Sequence, residues 1–149
     1  MATAAITTVL GIALAFLTIR KKFPGRTVMD FLAMLPVSLP GTFIGLAMIL
    51  AFNDGVLEMT GTLAIIILGM SLRQLPVGYR QAVAGLKQIE GSLEQASTNL
   101  GANSFTTFRK IVLPMLKNSL SVSFVYAFMR SMNTLSTVIF LVSPEWNLA

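Results

Sequence analysis

The stretch Leu93-Glu94-Gln95-Ala96-Ser97-Thr98-Asn99-Leu100-Gly101-Ala102, with Ile111-Val112-Leu113-Pro114 shortly after it, is the one long polar segment of an otherwise apolar chain. Its pattern predicts two short helices around a glycine. Ser92 and Gln95 are expected to form a capping box at the start of the first helix. Gly101 supplies the left-handed residue that ends it. Ser104 is expected to cap the second helix, which Pro114 would end. A polar helical pair of this kind indicates a surface presented to a partner.

The composition places this segment in a membrane protein. Hydrophobic residues make up 54% of the chain and charged residues 11%, and the mean hydropathy is +0.76. A soluble domain normally carries about 25% charged residues. The chain has no cysteine and no histidine, which excludes thiolate chemistry, imidazole metal ligation and histidine acid–base catalysis. It also lacks a P-loop motif. No catalytic residue, metal site or cofactor is therefore predicted.

Four apolar segments predict an all-α bundle of about four membrane spans. They are Ala4–Ile19, Phe31–Phe52, Leu57–Leu72 with an extension to Val77, and Asn118–Val142. A bilayer core requires about 20 apolar residues per helix, so the second and fourth segments are long enough and the other two are short. Residues 1–149 are expected to form a single, partial membrane domain, with residues 79–114 as a cytoplasmic segment between the last two spans.

The positions of the basic residues predict how the chain is oriented in the membrane. Apart from Arg130, all of the 11 lysines and arginines lie between spans one and two or between spans three and four. The positive-inside rule places both segments in the cytoplasm, so both termini are expected on the outer side, and Arg73 is expected to extend to the cytoplasmic interface. The net charge of +5 therefore reflects topology, and no nucleic-acid partner is predicted. Because the chain stops directly after a span, we expect a fragment of a longer protein.

Two spans contain candidates for a solute path. Pro36, Pro40 and Gly41 interrupt the second span, and such breaks persist in a membrane only against protein or a watery cavity. In the fourth span, polar residues recur at helical spacing on one face: Ser119, Ser123, Tyr126, Arg130, Asn133 and Thr137. A central arginine costs about 2.5 to 3.5 kcal/mol on insertion scales, so it should face protein or water. The alternatives are a kinked packing helix and interhelical hydrogen bonding.

The polar segment resembles the EAA motif of binding-protein-dependent ABC importer permeases. That motif runs Glu-Ala-Ala, three positions, Gly, nine positions, then Ile-x-Leu-Pro, and Gln95-Ala96-Ser97, Gly101 and Ile111-Val112-Leu113-Pro114 match its spacing throughout. Gln95 replaces the glutamate of the motif and Ser97 its second alanine, with Glu94 adjacent. The resemblance implies a type I ABC importer permease-like helical bundle, in which a coupling helix docks on a separate ATPase subunit.

The resemblance also implies partners and the residues that meet them. The partners are a cytoplasmic ABC ATPase, a periplasmic or lipid-tethered solute-binding protein, a second permease half or subunit, and the lipid bilayer of a bacterial inner membrane. The residues implied in ATPase docking are Leu93, Glu94, Gln95, Ala96, Ser97, Leu100, Gly101, Ala102, Phe105, Phe108, Ile111, Leu113 and Pro114. For Leu93, Leu100, Phe105 and Phe108, the alternative is packing onto the base of the permease itself.

The substrate is inferred from a narrower resemblance. Residues 93–102 and 136–144 resemble ferric-iron permeases, whose chains often fuse two halves, and this chain would then be most of the second half. The alternatives are a permease for phosphonate, polyamine or another small polar solute, and a non-transporting membrane assembly protein. A proton-driven secondary transporter is disfavoured because the interiors of the predicted spans contain no acidic residue.

Overall fold

The computed structural model describes residues 1–53, 59–133, 137–139 and 141, and the regular structure in these ranges is entirely helical. The elements are α1 (Ala2–Arg20), α2 (Arg26–Ser38), α3 (Gly41–Phe52), α4 (Leu63–Gln88), α5 (Gly91–Asn99), α6 (Ser104–Thr107), a π-helical turn (Phe108–Val112) and α7 (Leu113–Asn133). The all-α prediction is confirmed. The predicted outer loop with Asp54 and Glu58, and most of the chain after Asn133, lie outside the described residues.

Two of the described helical segments are long and apolar enough to cross a membrane. They are α1 and the continuous helix from Ser104 to Asn133. A third apolar segment consists of α2 and α3, which are bent by 113° at the break between them, so it is either a broken span or a re-entrant pair. The predicted interruption of the second span is therefore present. The predicted third span ends inside α4, which has 26 residues but also carries Arg73, Arg80 and Lys87.

The prolines of α4 and α7 lie within continuous helices. Pro76 is inside α4, which continues to Gln88. Pro114 is the second residue of α7, two positions after the π-helical turn ends, and the helix continues through it to Asn133. The Leu113 N–H reaches back five residues to the Phe108 carbonyl, and this wider turn makes room for the proline ring. The prediction that Pro114 ends the second helix is therefore wrong.

The backbones of α1 and α4 touch where the two helices cross. A Cβ at Gly11 would lie 2.6 Å from the Gly78 carbonyl carbon, and one at Gly78 would lie 2.9 Å from the Thr7 carbonyl oxygen. A Cβ at Gly85 would lie 2.7 Å from Ser119 Oγ on α7. Small residues allow this close approach, which stabilises helix pairs in lipid. We call α1, α4 and α7 the glycine-packed bundle. A buried hydrophobic cluster joins this bundle to α2 and comprises Ile12, Ala15, Ala33, Tyr79, Ala82, Leu86, Ile89, Val112 and Leu116.

Candidate functional site

The polar segment folds into α5 and α6, which we call the coupling segment. Gly101 lies between the two helices with φ +82°, as predicted for a left-handed residue that ends a helix. The start of α5 differs from the prediction, because Glu90 is its N-cap residue and no side chain caps it. Ser92 lies inside α5, and its hydroxyl donates to the Glu90 carboxylate at 3.1 Å. The predicted capping box of Ser92 and Gln95 is therefore wrong.

The cap of α6 is displaced by one residue from its predicted position. Asn103, and not Ser104, is the N-cap residue, and its Oδ1 accepts the Thr106 N–H at 2.8 Å. Asparagine and serine stabilise a helix N-cap about equally well. The sequence alone therefore could not decide which of the two neighbouring residues is the cap. The second helix therefore begins one residue earlier than expected, at Ser104.

One arginine fixes the coupling segment to the bundle. Arg20, the last residue of α1, donates to the Leu86 and Ile89 carbonyls at 3.0 and 2.9 Å. These carbonyls lie at the C-terminal end of α4, where intrahelical donors run out. Arg20 Nε also lies 2.7 Å from Glu94 Oε1 of α5. A single guanidinium therefore joins the ends of α1 and α4 to the coupling segment, and Glu94 supplies a carboxylate although Gln95 replaces the glutamate of the motif.

Two further contacts fix the inner face of the coupling segment. The hydroxyls of Ser97 and Thr107 are 2.9 Å apart and buried, which joins α5 to α6. Phe108 packs edge-to-face on Phe16 of α1, with ring centroids 4.9 Å apart and an interplanar angle of 70°. Phe108 therefore packs on α1 of the same chain, which was the alternative to docking for this residue.

The outer face of the coupling segment exposes apolar side chains. Leu100 is 89% exposed, Phe105 69% and Leu93 42%. Exposed apolar side chains in a segment that is otherwise polar indicate a contact surface. We call this face the coupling surface; its exposed residues are Leu93, Gln95, Ala96, Leu100, Gly101 and Phe105. Of the other predicted docking residues, Ala102 and Ile111 are partly buried and Leu113 and Pro114 are exposed.

A second candidate region is a cavity of about 190 Å³ between α2, α4 and α7, which we call the polar cavity. It is lined by Val37, Arg73, Gln74, Val77, Tyr126, Arg130 and Asn133. Three of these, Tyr126, Arg130 and Asn133, were predicted to line the path. Arg73 lies ~22 Å before the end of α4 at the helical rise of 1.5 Å per residue, so the polar cavity is well separated from the coupling segment along the bundle.

The break between α2 and α3 holds Arg73 in place. In a continuous helix the Pro36 carbonyl would accept the N–H of residue 40, but residue 40 is a proline and has no N–H. Arg73 Nη1 donates to this carbonyl at 2.7 Å instead. Arg73 is therefore partly buried and bound to α2, and its extension to the membrane interface stays a prediction.

The remaining path candidates lie outside the polar cavity. Ser123 is buried beside Gly78, whose Cβ would lie 3.4 Å from Ser123 Oγ. Thr137 is buried beside Gly69, where a Cβ would lie 3.7 Å from Thr137 Cγ2. Pro40 is the N-cap residue of α3, and Gly41 is its buried first residue. In this structure these residues lie at helix contacts or at the break between α2 and α3.

The sequence analysis did not assign three residues that the structure places in these two regions: Arg20, Arg73 and Gln74. A signal existed for Arg73, because Pro40 leaves a carbonyl without its donor and an arginine borders the next apolar segment. A basic residue at the end of α1 also suits a helix C-terminus. Nothing in the sequence pointed to Gln74, because the face of α4 that meets α7 depends on the packing of the bundle.

Comparison with known proteins places the chain among membrane transport components. Residues 7–145 match a family model described as "Binding-protein-dependent transport system inner membrane component". The chain is 42% identical over 146 residues to the ferric transport system permease protein FbpB of Actinobacillus pleuropneumoniae, covering 98% of this chain and 21% of that protein. It is 44% identical over 142 residues to the putative ferric transport system permease protein FbpB 1 of Haemophilus influenzae, covering 95% and 22%. The chain thus spans about one-fifth of the length of these relatives.

A more distant relative matches in sequence, and a solved structure matches in fold. The chain is 32% identical to the sulfate transport system permease protein CysT of Salmonella typhimurium, covering 89% of this chain and 52% of that protein. A chain of the MetNI methionine ABC transporter in an inward-facing conformation superposes with a TM-score of 0.60 at 21% identity, covering 88% of this chain and 68% of that chain. The predicted ABC importer permease fold is therefore confirmed.

Proposed function

Because the chain belongs to the family of binding-protein-dependent transport system inner membrane components, we propose that it forms part of the permease of an ABC importer. In this role its helices border the solute path, and its coupling segment receives the movement of a separate ATPase subunit. The basic segments and the coupling segment lie on the cytoplasmic side, and both termini lie outside. A periplasmic or lipid-tethered binding protein delivers the solute, and a second permease half or subunit completes the path.

The proposal is supported by the different contacts of the two faces of the coupling segment. The outer face presents Leu100 and Phe105, which suit an apolar groove on a partner protein in the helix-in-groove mode. The inner face is tied through Arg20 to the ends of α1 and α4. A partner that displaces α5 therefore also pulls on two long helices, because coupling travels through contiguous bonded contacts. This is the arrangement that a mechanical link between an ATPase and a membrane bundle requires.

The identity of the cargo is proposed from the relatives. The two relatives named as ferric permeases support ferric iron as the cargo. The relative named as a sulfate permease is less similar, and it supports a small inorganic oxyanion as the second candidate.

The experiment tests whether the coupling surface binds an ATPase. Leu100→Ala combined with Phe105→Ala should reduce the amount of ATPase that co-purifies with the tagged permease about tenfold or more, because burial of each large apolar side chain contributes about 1.5 to 3 kcal/mol. Val28→Ala is the matched control, since Val28 is 59% exposed on α2, away from the coupling segment. Undiminished ATPase recovery with the double variant would contradict the proposal. Recovery of the ATPase without ATP-dependent solute uptake by the unmodified importer would instead support an assembly protein.

A further inference from the structure

A cavity of about 380 Å³ lies between α1, α2 and α4, at the end of the bundle where α1 finishes. We call it the basic cavity; its lining includes Thr18, Arg26, Asp30, Tyr79, Arg80 and Lys87. Its volume lies within the range of about 300 to 1,000 Å³ that is usual for ligand sites. Thr18 precedes the end of α1 by two residues, and α1 is long and apolar enough to cross a membrane. The basic cavity therefore lies at the depth where a membrane helix reaches the lipid headgroups.

The described lining of the basic cavity is positively charged. It contains three basic side chains, Arg26, Arg80 and Lys87, against one carboxylate, Asp30. The side chains of Arg26 and Lys87 form no hydrogen bond or ion pair with any residue in the ranges that the structure describes. Arg80 Nε donates to the Met34 sulfur at 3.3 Å, which leaves its charge without a carboxylate. Guanidinium and ammonium groups placed in this way attract phosphate oxygens.

The basic cavity is formed at one end of the bundle. α4 begins at Leu63, ~24 Å before Tyr79 at the helical rise of 1.5 Å per residue. The chain of α7 runs in the opposite direction to α4, because Ser123 lies beside Gly78 and Thr137 lies beside Gly69. α7 therefore leads away from the basic cavity, towards the start of α4. The charge of the described lining is thus set by α2 and by the C-terminal half of α4.

Hydrogen bonds between three helices fix the floor of the basic cavity. Tyr79 of α4 is only 1% exposed. Its hydroxyl donates to the Asp30 carboxylate of α2 and lies 3.0 Å from Thr18 Oγ1 of α1. The positions of α2 and α4, which carry the basic side chains, are therefore set before a ligand binds, and such preorganisation lowers the entropic cost of binding.

An apolar space lies between the same three helices, nearer to the middle of α1. This second cavity, of about 480 Å³, is lined by one glycine and by apolar side chains that include Leu14, Leu32 and Leu75; we call it the apolar cavity. Leu14 and Leu75 precede Thr18 and Tyr79 by four residues, which is one helical turn. Leu32 of α2 is 57% exposed. Basic groups at the helix ends, with apolar side chains one turn deeper, match the distribution of polarity in a phospholipid.

From the charge of the basic cavity and the position of the apolar cavity we infer that this end of the bundle binds an anionic phospholipid. Its phosphate group lies among Arg26, Arg80 and Lys87, and an acyl chain lies along the apolar cavity. Basic pockets between membrane helices are known to bind headgroups of this charge. Inorganic phosphate shares the chemistry of the headgroup but has no acyl chain. The inference goes beyond the proposed function, since it requires neither the ATPase nor a particular cargo.

The test measures lipid binding to the complete importer, purified through a tag on the permease, kept in detergent and stripped of lipid. Native mass spectrometry counts the bound molecules while phosphatidylglycerol or phosphatidylcholine is added. Phosphatidylglycerol should bind saturably. Phosphatidylcholine should bind about tenfold more weakly, because its choline group cancels the charge of the phosphate and is repelled by the basic side chains. Millimolar inorganic phosphate should not displace phosphatidylglycerol, because it cannot occupy the apolar cavity.

A pair of double variants assigns the binding to the basic cavity. Arg26→Gln combined with Lys87→Gln should weaken phosphatidylglycerol binding about tenfold or more, because each basic residue near a membrane surface contributes a factor of about five. Lys22→Gln combined with Lys117→Gln is the matched control. It removes the same charge from two exposed lysines outside the cavity, and it should bind like the unmodified importer.

A further variant separates the effect of charge from a folding defect. Asp30→Asn removes the one carboxylate of the described lining and keeps an oxygen that can accept from the Tyr79 hydroxyl. It should strengthen phosphatidylglycerol binding severalfold, because a like charge no longer opposes the phosphate. A variant that only disturbed the packing of α2 would weaken binding instead.

Several results would overturn the inference: equal binding of the two lipids, displacement of the lipid by inorganic phosphate, or equal losses in the two double variants. Lower ATPase recovery with unchanged lipid binding in Arg26→Gln combined with Lys87→Gln would also overturn it, since the cavity would then meet a protein segment. The proposed function is tested separately in the same preparations. A permease that recovers no ATPase but binds the lipid would contradict the proposed function alone, whereas an importer with ATP-dependent uptake and no lipid binding would contradict this inference alone.

Discussion

The glycine-packed bundle and the coupling segment both depend on a glycine, but for different physical reasons. Gly78 is needed for space, because a Cβ there would lie 2.9 Å from the Thr7 carbonyl oxygen. A Cβ at Gly101 would meet nothing within 4 Å, but the φ of this residue is +82°. Residues other than glycine adopt this backbone conformation only at a cost in free energy. The bundle is therefore defined by contact between backbones, and the coupling segment by the local shape of its chain. The outer face of the coupling segment is exposed, whereas the helices of the bundle bury their contact faces against one another.

The largest effect is expected in the bundle. Gly78→Val forces a branched side chain against the backbone of α1 and should destabilise the permease by about 3 kcal/mol or more, at the upper end of overpacking costs. The yield of folded importer and its thermal unfolding midpoint in nanodiscs measure this. Gly91→Val is the matched control, since a Cβ at Gly91 meets nothing within 4 Å. Equal losses from both variants would show that backbone contact does not distinguish the two regions.

An intermediate effect is expected where the two regions join. Glu94→Gln removes the charge that pairs with Arg20 and should destabilise the attachment of α5 by about 1 to 2 kcal/mol, because this ion pair is partly buried and is therefore screened less than an exposed pair, which contributes about 0.2 to 1 kcal/mol. Hydrogen exchange of the α5 amides would report the loosening. Gln95→Ala is the control, because Gln95 is exposed on the outer face. If Gln95→Ala loosened α5 and Glu94→Gln did not, Glu94 would not be the carboxylate that holds the segment.

The smallest change in stability is expected within the coupling segment. It tests whether Gly101 is required for its backbone conformation and not for lack of space. Gly101→Ala should destabilise it by about 1 kcal/mol, the cost of a left-handed conformation for a residue with a Cβ. Gly91→Ala should stabilise it by about 0.5 to 1 kcal/mol, because alanine favours a helix over glycine. Thermal unfolding midpoints of the two variants should therefore shift in opposite directions. A shift of the same sign in both would mean that the turn at Gly101 does not depend on its φ.

Local features were predictable wherever one residue determines its own backbone. The left-handed Gly101, the break at Pro40 and the apolar helices all follow from dihedral limits, a missing N–H or hydrophobic length, whereas Pro36 lies inside α2. Predictions failed where two neighbours could serve equally well, as at Asn103 and Ser104. They also failed where the preceding turn changes its hydrogen bonding to compensate for a local defect, since the π-helical turn accommodates Pro114.

The sequence by itself thus determined an all-α membrane protein with a broken second span and a two-helix polar segment turning at Gly101. Only the tertiary structure decided which face of each helix is buried: Phe108 packs on Phe16 while Phe105 remains exposed. It also brought Arg73 and Arg130 to one cavity. The physical reason is that helical spacing fixes which residues share a face, whereas the partner of that face depends on how closely glycines allow the helices to approach.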